Sequence, residues 1–319
     1  MPIKVIVTHD FDHMSEKAAE IVKKIITESL DNKKEFVLGL ATGNSPTGLY
    51  KHLAKAANAG EFDPSRIRSF NLDEYVGLPG ENAQQRVIHP ESYCYFMIKE
   101  FFGLLNRNLC ESSVPYGCLI DQKRLIDELH SNPEDWHEAG TDAGKSIVIK
   151  VNPASEYLNW IREDILEGYA RKIENGGGMD LQVIGVGGRG HVAFHESGIP
   201  FADSKVLLVK LDDNTVTDAL MDGHFTSEEK CPHYAISMGA ELVYQAKTVV
   251  LLANGERKTG PVAESLLAEP TPEVPISYGQ KYAENGGNLI YVLDSIAGRE
   301  LLANDKILQQ KGFSIENIS

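Results

Sequence analysis

The run Gly185-Val186-Gly187-Gly188-Arg189-Gly190-His191-Val192-Ala193-Phe194-His195-Glu196 places an arginine, two imidazoles and a carboxylate directly after a glycine-rich turn. Glycines let a backbone approach a ligand with no Cβ in the way. A His191–Glu196 pair suits acid–base work, because the carboxylate can fix the tautomer of a catalytic imidazole. Alternatively, on a helix, His191 and His195 are spaced to share one metal. The order is not H-E-x-x-H, however, and no third ligand stands nearby. A structural role for one histidine and an exposed position for the other is also open.

Three further places offer chemistry. Thr42-Gly43-Asn44-Ser45-Pro46 sets backbone N–H groups, two hydroxyls and an amide before a helix, a cradle for an oxyanion; it lacks the Gly-Lys-[Ser/Thr] ending of a Walker loop. Asp73-Glu74 follows an apolar run. Adjacent strand residues point to opposite sides, so one of these carboxylates is expected to enter a site, where burial would fit it to act as a general base. Lys258, in Gly255-Glu256-Arg257-Lys258-Thr259-Gly260, could neutralise a phosphate. Each feature alone also fits an ordinary turn, cap or solvated surface.

Each lies just past a strand-like segment. Lys4–Thr8, Phe36–Leu40, Ile67–Leu72, Ser146–Val151, Leu181–Ile184, Val206–Leu211, Thr248–Ala253 and Leu289–Leu293 read as strands. Helical spacing recurs through Ala18–Ile26, with Ser15 as N-cap, and from Pro46 through Ala57. It returns in Ser92–Leu105, Glu156–Lys172 and Gly260–Leu267. No repeat, low-complexity tract or linker interrupts this alternation. The expected fold is α/β: a three-layer α/β/α, modified Rossmann-like arrangement around a mostly parallel sheet. In such a sheet the three strand ends converge on one edge. Gly185–Gly190 matches G-x-G-x-x-G, but Gly198 and Pro200 leave room for two turns at most where a dinucleotide fold needs a long helix. Asp212, beyond the next strand, could stand for the ribose-binding acid, so that reading stays open.

Composition limits the partners. The 319 residues carry 46 acidic and 31 basic side chains, a formal charge of −15. An acidic surface argues against binding nucleic acid or anionic membrane, and no apolar window is long enough for a transmembrane helix. The opening Met1–Val7 is too short for a signal peptide. The cysteines at 94, 110, 118 and 231 form no C-x-x-C pair; their scatter suggests reduced thiols and a cytoplasmic location.

Together, Leu38–Pro46, Ser69–Leu78 (Ser-Phe-Asn-Leu-Asp-Glu-Tyr-Val-Gly-Leu), His89-Pro90-Glu91-Ser92-Tyr93 and Gly185–Glu196 resemble the glucosamine-6-phosphate deaminase family, which shares its fold with 6-phosphogluconolactonases. The resemblance covers most of one domain spanning 1–319, except about 106–155, which reads as an insertion. It implies an aldose–ketose isomerisation that releases ammonia and gives fructose 6-phosphate. Asp73 then matches the base that moves a proton between C2 and C1. His191 matches the ring-opening histidine and Glu196 the acid that orients it. Thr42, Gly43, Asn44 and Ser45 match the phosphate loop, and Lys258 the phosphate-binding lysine. No metal or organic cofactor is implied, and a homo-oligomer is left open.

Two positions depart from the family pattern. Arg189 stands where an acid or amide is usual, and a guanidinium cannot accept a proton. The stretch Thr215–Asp222 lacks the phosphate-binding arginine, with Leu220 in its place. Arg189 is therefore expected to take over some anion binding. These departures keep open an enzyme acting on another phosphorylated sugar, or a sensor that binds one without turnover. Retention of Asp73, His191 and Glu196 favours an enzyme.

Overall fold

The computed structural model describes residues 3–319 apart from Asp222 and His224. Its strands are β1 (Lys4–Thr8), β2 (Phe36–Leu40), β3 (Ile67–Asn71), β4 (Asp73–Val76), β5 (Glu111–Ser113), β6 (Trp136–Ala139), β7 (Lys145–Ile149), β8 (Leu181–Ile184), β9 (Val206–Lys210), β10 (Tyr234–Met238), β11 (Thr248–Ala253), β12 (Asn288–Asp294) and β13 (Ser314–Asn317). Eight form a sheet in the order β13-β1-β12-β11-β8-β2-β3-β5, with every neighbouring pair parallel. Helices cover both of its sides. That is why β2 and β11 are buried at every residue and read as unbroken apolar runs.

A second sheet is antiparallel, in the order β4-β10-β9-β7-β6. Alternation of strand and helix along the chain does not reveal it. Two of its strands, β7 and β9, are legible as strands, but not as members of a separate sheet. Residues 106–155 contribute β5 to the edge of the parallel sheet and the β6–β7 hairpin to the other.

The helices follow the expected spacing with local differences. Helix Phe11–Leu30 begins one turn earlier than Ser15, because Asp10 caps it by accepting from His13 N at 2.9 Å. Ser15 is instead buried where helix Thr47–Asn58 crosses; a Cβ on Gly48 would meet its Oγ at 2.1 Å. Helical chain runs from Glu156 to Asn175, widened to π-type turns over Ile161–Leu166. Its Tyr169 hydroxyl donates to Asn71 O at 2.8 Å and to Ser113 O at 3.2 Å, tying β3 and β5 to this helix.

The two sheets meet at Leu72. Its N–H donates to Leu40 O at 3.0 Å, continuing the parallel ladder, and its carbonyl accepts from Met238 N at 2.7 Å, opening the antiparallel one. Asp73 and Glu74 follow at once. Glu74 is fully buried and caps helix Tyr93–Glu100, accepting from Tyr75 N at 2.9 Å, Tyr93 N at 3.0 Å and Cys94 N at 3.0 Å. Burial outweighs those donors and pushes its carboxyl from 4.5 to about 7.

A carboxyl raised on folding holds its proton more tightly in the native state. Its stabilising contribution is therefore complete below pH 4.5 and lost as pH rises to about 7. Asp73 is raised as well and acts with the same sign. Unfolding free energy should fall across this window, and Glu74→Gln should fall less steeply; denaturant titrations at several pH values check the difference in slope.

Candidate active site

A cavity of about 440 Å³ opens at the carboxyl edge of the parallel sheet. The loops that line it follow β2, β8 and β11, three adjacent strands, and Asp73 arrives from β3, the next in order. This is where open α/β sheets bind ligands.

The loop after β2 lines the cavity from Ala41 through Pro46. Gly43 has φ of 85°, a left-handed backbone that glycine adopts without a Cβ penalty. The buried Tyr50 hydroxyl accepts from Ala41 N at 3.0 Å, holding the base of this loop to its helix. Ser45 Oγ donates to Asn254 Oδ1 at 2.7 Å, joining it to the loop after β11. That second loop is fixed in turn by buried Asp294, which accepts from Gly255 N at 3.0 Å.

The glycine-rich segment contains no helix. Gly187 N donates to His191 O, and Val192 bridges to His195 in a tight turn with Ala193 at φ 52°, a strained conformation for a residue with a Cβ. Phe194 N donates to Ser237 Oγ at 3.0 Å, and Ser237 pairs with Asp73 across β10 and β4. The histidine turn is thereby pinned beside the acid. A Cβ on Gly187 would lie 1.7 Å from His191 Nε2, so this glycine is what gives the imidazole its place.

The two histidines separate in role. His191 lines the cavity, with Nδ1 3.3 Å from Glu196 Oε2, and Glu196 is buried. His195 is fully buried outside it. Its Nδ1 accepts from Ala240 N at 3.0 Å, which leaves Nε2–H to donate to Ile199 O at 3.0 Å. Burial pushes His195 down to about 4, so it stays neutral. Without a helix the two imidazoles do not converge, and among the described residues no cluster of three His, Cys, Asp or Glu could hold a metal.

Asp73 lines the cavity and Glu74 does not. Burial, and then the charge of Glu74, hold Asp73 well above the usual carboxylate range. Its Oδ1 is buried with no hydrogen-bond partner among the described residues. Beside it stands an aromatic wall: Tyr75 lies 5.0 Å from Tyr93 and 5.2 Å from Phe194, and Tyr93 stacks on Phe194 at 5.8 Å. Tyr93 lies in the His89–Tyr93 segment of the resemblance and at the start of an expected helix, without a role assigned to it; its N–H donates to Glu74, and it lines the cavity.

Lys258 and its neighbour Arg257 both line the cavity. The helix here begins at Glu256 rather than Gly260, so both cations occupy its first turn. Glu256 is matched by Arg299 through two bonds, at 2.7 and 2.6 Å. Arg257 and Asn254 were missed by motif reasoning, although both sit beside Lys258 just past a strand end. Helix Asp213–Met221 lines the cavity with Thr215 and Ala219, while Leu220 packs against the apolar cluster around Tyr75. Asp222 lies outside the described residues.

Arg189 is placed differently from expectation. It does not line the cavity. Its guanidinium pairs with Asp142 and, at 3.2 Å, with Asp212 Oδ2. Two carboxylates brought from elsewhere in the chain, rather than the cavity wall, hold its guanidinium.

No protein-family model matches the chain. It is 34% identical over 273 residues to a glucosamine-6-phosphate deaminase of Thermoanaerobacter sp. (strain X514), covering 86% of this chain and 87% of that one. It is 32% identical over 302 residues to the enzyme of that name from Clostridium acetobutylicum, covering 94% and 100%. Among solved structures, a monomeric glucosamine-6-phosphate deaminase superposes with a TM-score of 0.69 at 24% identity, over 93% of this chain and 99% of that one. A 6-phosphogluconolactonase from Trypanosoma brucei gives 0.59 at 16%, over 94% and 100%, a likeness of fold alone. Identity near one third, sustained along almost the whole length of both partners, shows that the chain belongs to the glucosamine-6-phosphate deaminase family.

Proposed function

We propose that this chain converts glucosamine 6-phosphate and water to fructose 6-phosphate and ammonia. The observation that carries this reading is Asp73: a buried carboxylate with an oxygen that has no hydrogen-bond partner among the described residues, lining the same cavity as His191 of the His191–Glu196 pair. Leaving such an atom unpaired costs stability, and polar groups kept in that state cluster at functional sites.

The phosphate sits at the Thr42–Ser45 loop, facing the cations of Arg257 and Lys258. With its Nδ1–H directed to Glu196, His191 keeps Nε2 as the basic nitrogen. It carries a proton from the anomeric hydroxyl to the ring oxygen, and the sugar opens. Asp73 then takes the proton from C2. That electron pair forms the C1–C2 double bond of an enolamine while the C1 carbonyl π pair moves to O1, which takes a proton from water, and the amine nitrogen gives one back as the imine forms. Returned to C1, that proton leaves an imine at C2. Water adds to C2 and ammonia departs, giving the ketose. A carboxylate whose hold on a proton is strengthened by burial suits this shuttle, since it must both accept and return the proton. The four unpaired cysteine thiols fit a reducing, cytoplasmic setting.

A second reading, turnover of another phosphorylated sugar, is favoured by helix Asp213–Met221, which brings Thr215 and Ala219 to the cavity but no arginine. Ammonia release from glucosamine 6-phosphate, assayed beside galactosamine 6-phosphate and a 6-phosphogluconolactone, separates the two. The first substrate is expected to dominate.

Asp73→Asn should lower turnover by about a thousandfold, within the range for loss of a general base; near-normal ammonia release in that variant would remove Asp73 from the reaction. Gly187→Ala forces the imidazole out of its place, and kcat/KM should drop by roughly a hundredfold. Its melting temperature, measured in parallel, should stay close to that of the wild type.

A further inference from the structure

We propose that Arg189 is a positioning residue, which cancels the charge of Asp212 behind Glu196 and so holds Glu196 against His191. The proposal rests on the assignment of His191 and Glu196 to the reaction. It gives the arginine a task in that reaction that is not ligand binding.

The chain of contacts is continuous. Glu196 Oε2 lies 3.3 Å from His191 Nδ1, and its Oε1 accepts from Asp212 N at 3.3 Å. The Asp212 carboxylate accepts on Oδ1 from Asn214 N and Asn214 Nδ2, both at 2.7 Å, and presents Oδ2 to Arg189 Nη1 at 3.2 Å. The side chains of Glu196 and Asp212 are each only 3% exposed. A buried charge is costly unless it is paired, and Arg189 is the cation that meets Asp212. Without that cation the Asp212 charge would repel its neighbour, and among the described residues Glu196 is held by one N–H and the imidazole. Arg189 supplies that cation from outside the cavity.

The arginine is itself located by the turn between β6 and β7. Asp142 in that turn pairs with its Nη2, and Ser197 Oγ lies 3.5 Å from the same nitrogen. Thr141 N donates to Gly198 O at 3.1 Å, seating the turn against the Glu196 loop. Gly144 closes over Glu196 so tightly that a Cβ there would come within 2.6 Å of Glu196 Cβ. The β6–β7 hairpin thus forms the back wall of the histidine–glutamate pair, and Arg189 is the bolt between them.

The test compares wild type, Arg189→Gln, Arg189→Lys and the double variant Arg189→Gln with Asp212→Asn. Asparagine keeps the Oδ1 acceptor for Asn214 and removes the charge. With glucosamine 6-phosphate, Arg189→Gln should lose roughly ten- to a hundredfold in kcat. KM and competitive inhibition by inorganic phosphate should stay within about twofold, the pattern of a lost transition-state arrangement rather than lost binding. Lysine should restore most of kcat, and the double variant should exceed Arg189→Gln several-fold. Spectra of 15N-histidine-labelled protein, with His191→Gln for assignment, add a readout that needs no turnover. The His191 ring signal should move in Arg189→Gln and return in the double variant. Absence of ammonia release by the wild type would fell the proposed function but leave this spectroscopic test in force. A double variant no better than Arg189→Gln in both readouts would overturn the proposal. So would weakened phosphate inhibition with kcat intact, which would make Arg189 an anion ligand.

Discussion

One residue, Leu72, belongs to two sheets at once, and the site is organised around that fact. Its N–H completes the parallel ladder with Leu40, and its carbonyl begins the antiparallel ladder with Met238. The chain must therefore turn out of one sheet into the other at the point where Asp73 and Glu74 follow. Pleating sends the two carboxylates to opposite sides. Asp73 enters the cavity, while Glu74 caps the helix that carries Tyr93. The acid and the aromatic wall beside it thus have a common origin.

Four carboxylates that figure in the site or behind it are buried: Asp73, Glu74, Glu196 and Asp212. Burying charge is costly unless it is paired or hydrogen-bonded, and three of these have partners. Glu74 accepts from three backbone N–H groups, Glu196 faces His191 and one N–H, and Asp212 meets Arg189 and Asn214. Asp73 alone keeps an oxygen with no partner among the described residues, and that oxygen belongs to a cavity-lining residue. The contrast within this group, more than any one shift, supports the proposal that Asp73 is the reactive carboxylate.

The cavity also shows how little regular structure a site of this kind requires. The loops after β2, β8 and β11 contain almost no repeating hydrogen bonds of their own. They are held by contacts that include Tyr50 to Ala41, Asp294 to Gly255, Ser237 to Phe194 and Asn254 to Ser45. Each anchor comes from a neighbouring element, so the loops are fixed in position without being rigid by themselves. This is the arrangement expected of functional loops on a scaffold of packed strands.

Much of this was legible in the sequence. Apolar runs ending in glycine, hydroxyl and carboxylate residues mark the strand ends at Leu40, Asn71 and Ile184. A parallel sheet then gathers them at one edge, and only one of Asp73 and Glu74 reaches the cavity. Backbone sterics and burial act over a few residues, so these features follow from local pattern. The antiparallel sheet, the orientation of Tyr93 and the placement of Arg257 did not follow, because each depends on what packs against it. Arg189 is the clearest case. Its position in the glycine-rich turn was evident, but a flexible charged side chain ends wherever its counter-charges are, and those are Asp142 and Asp212, 47 and 23 residues away. Local sequence determined which chemical groups stand at the sheet edge. Only the tertiary structure decided which of them face the cavity and which hold the others in place, because long-range charge pairing, unlike a turn or a strand, has no signature in neighbouring residues.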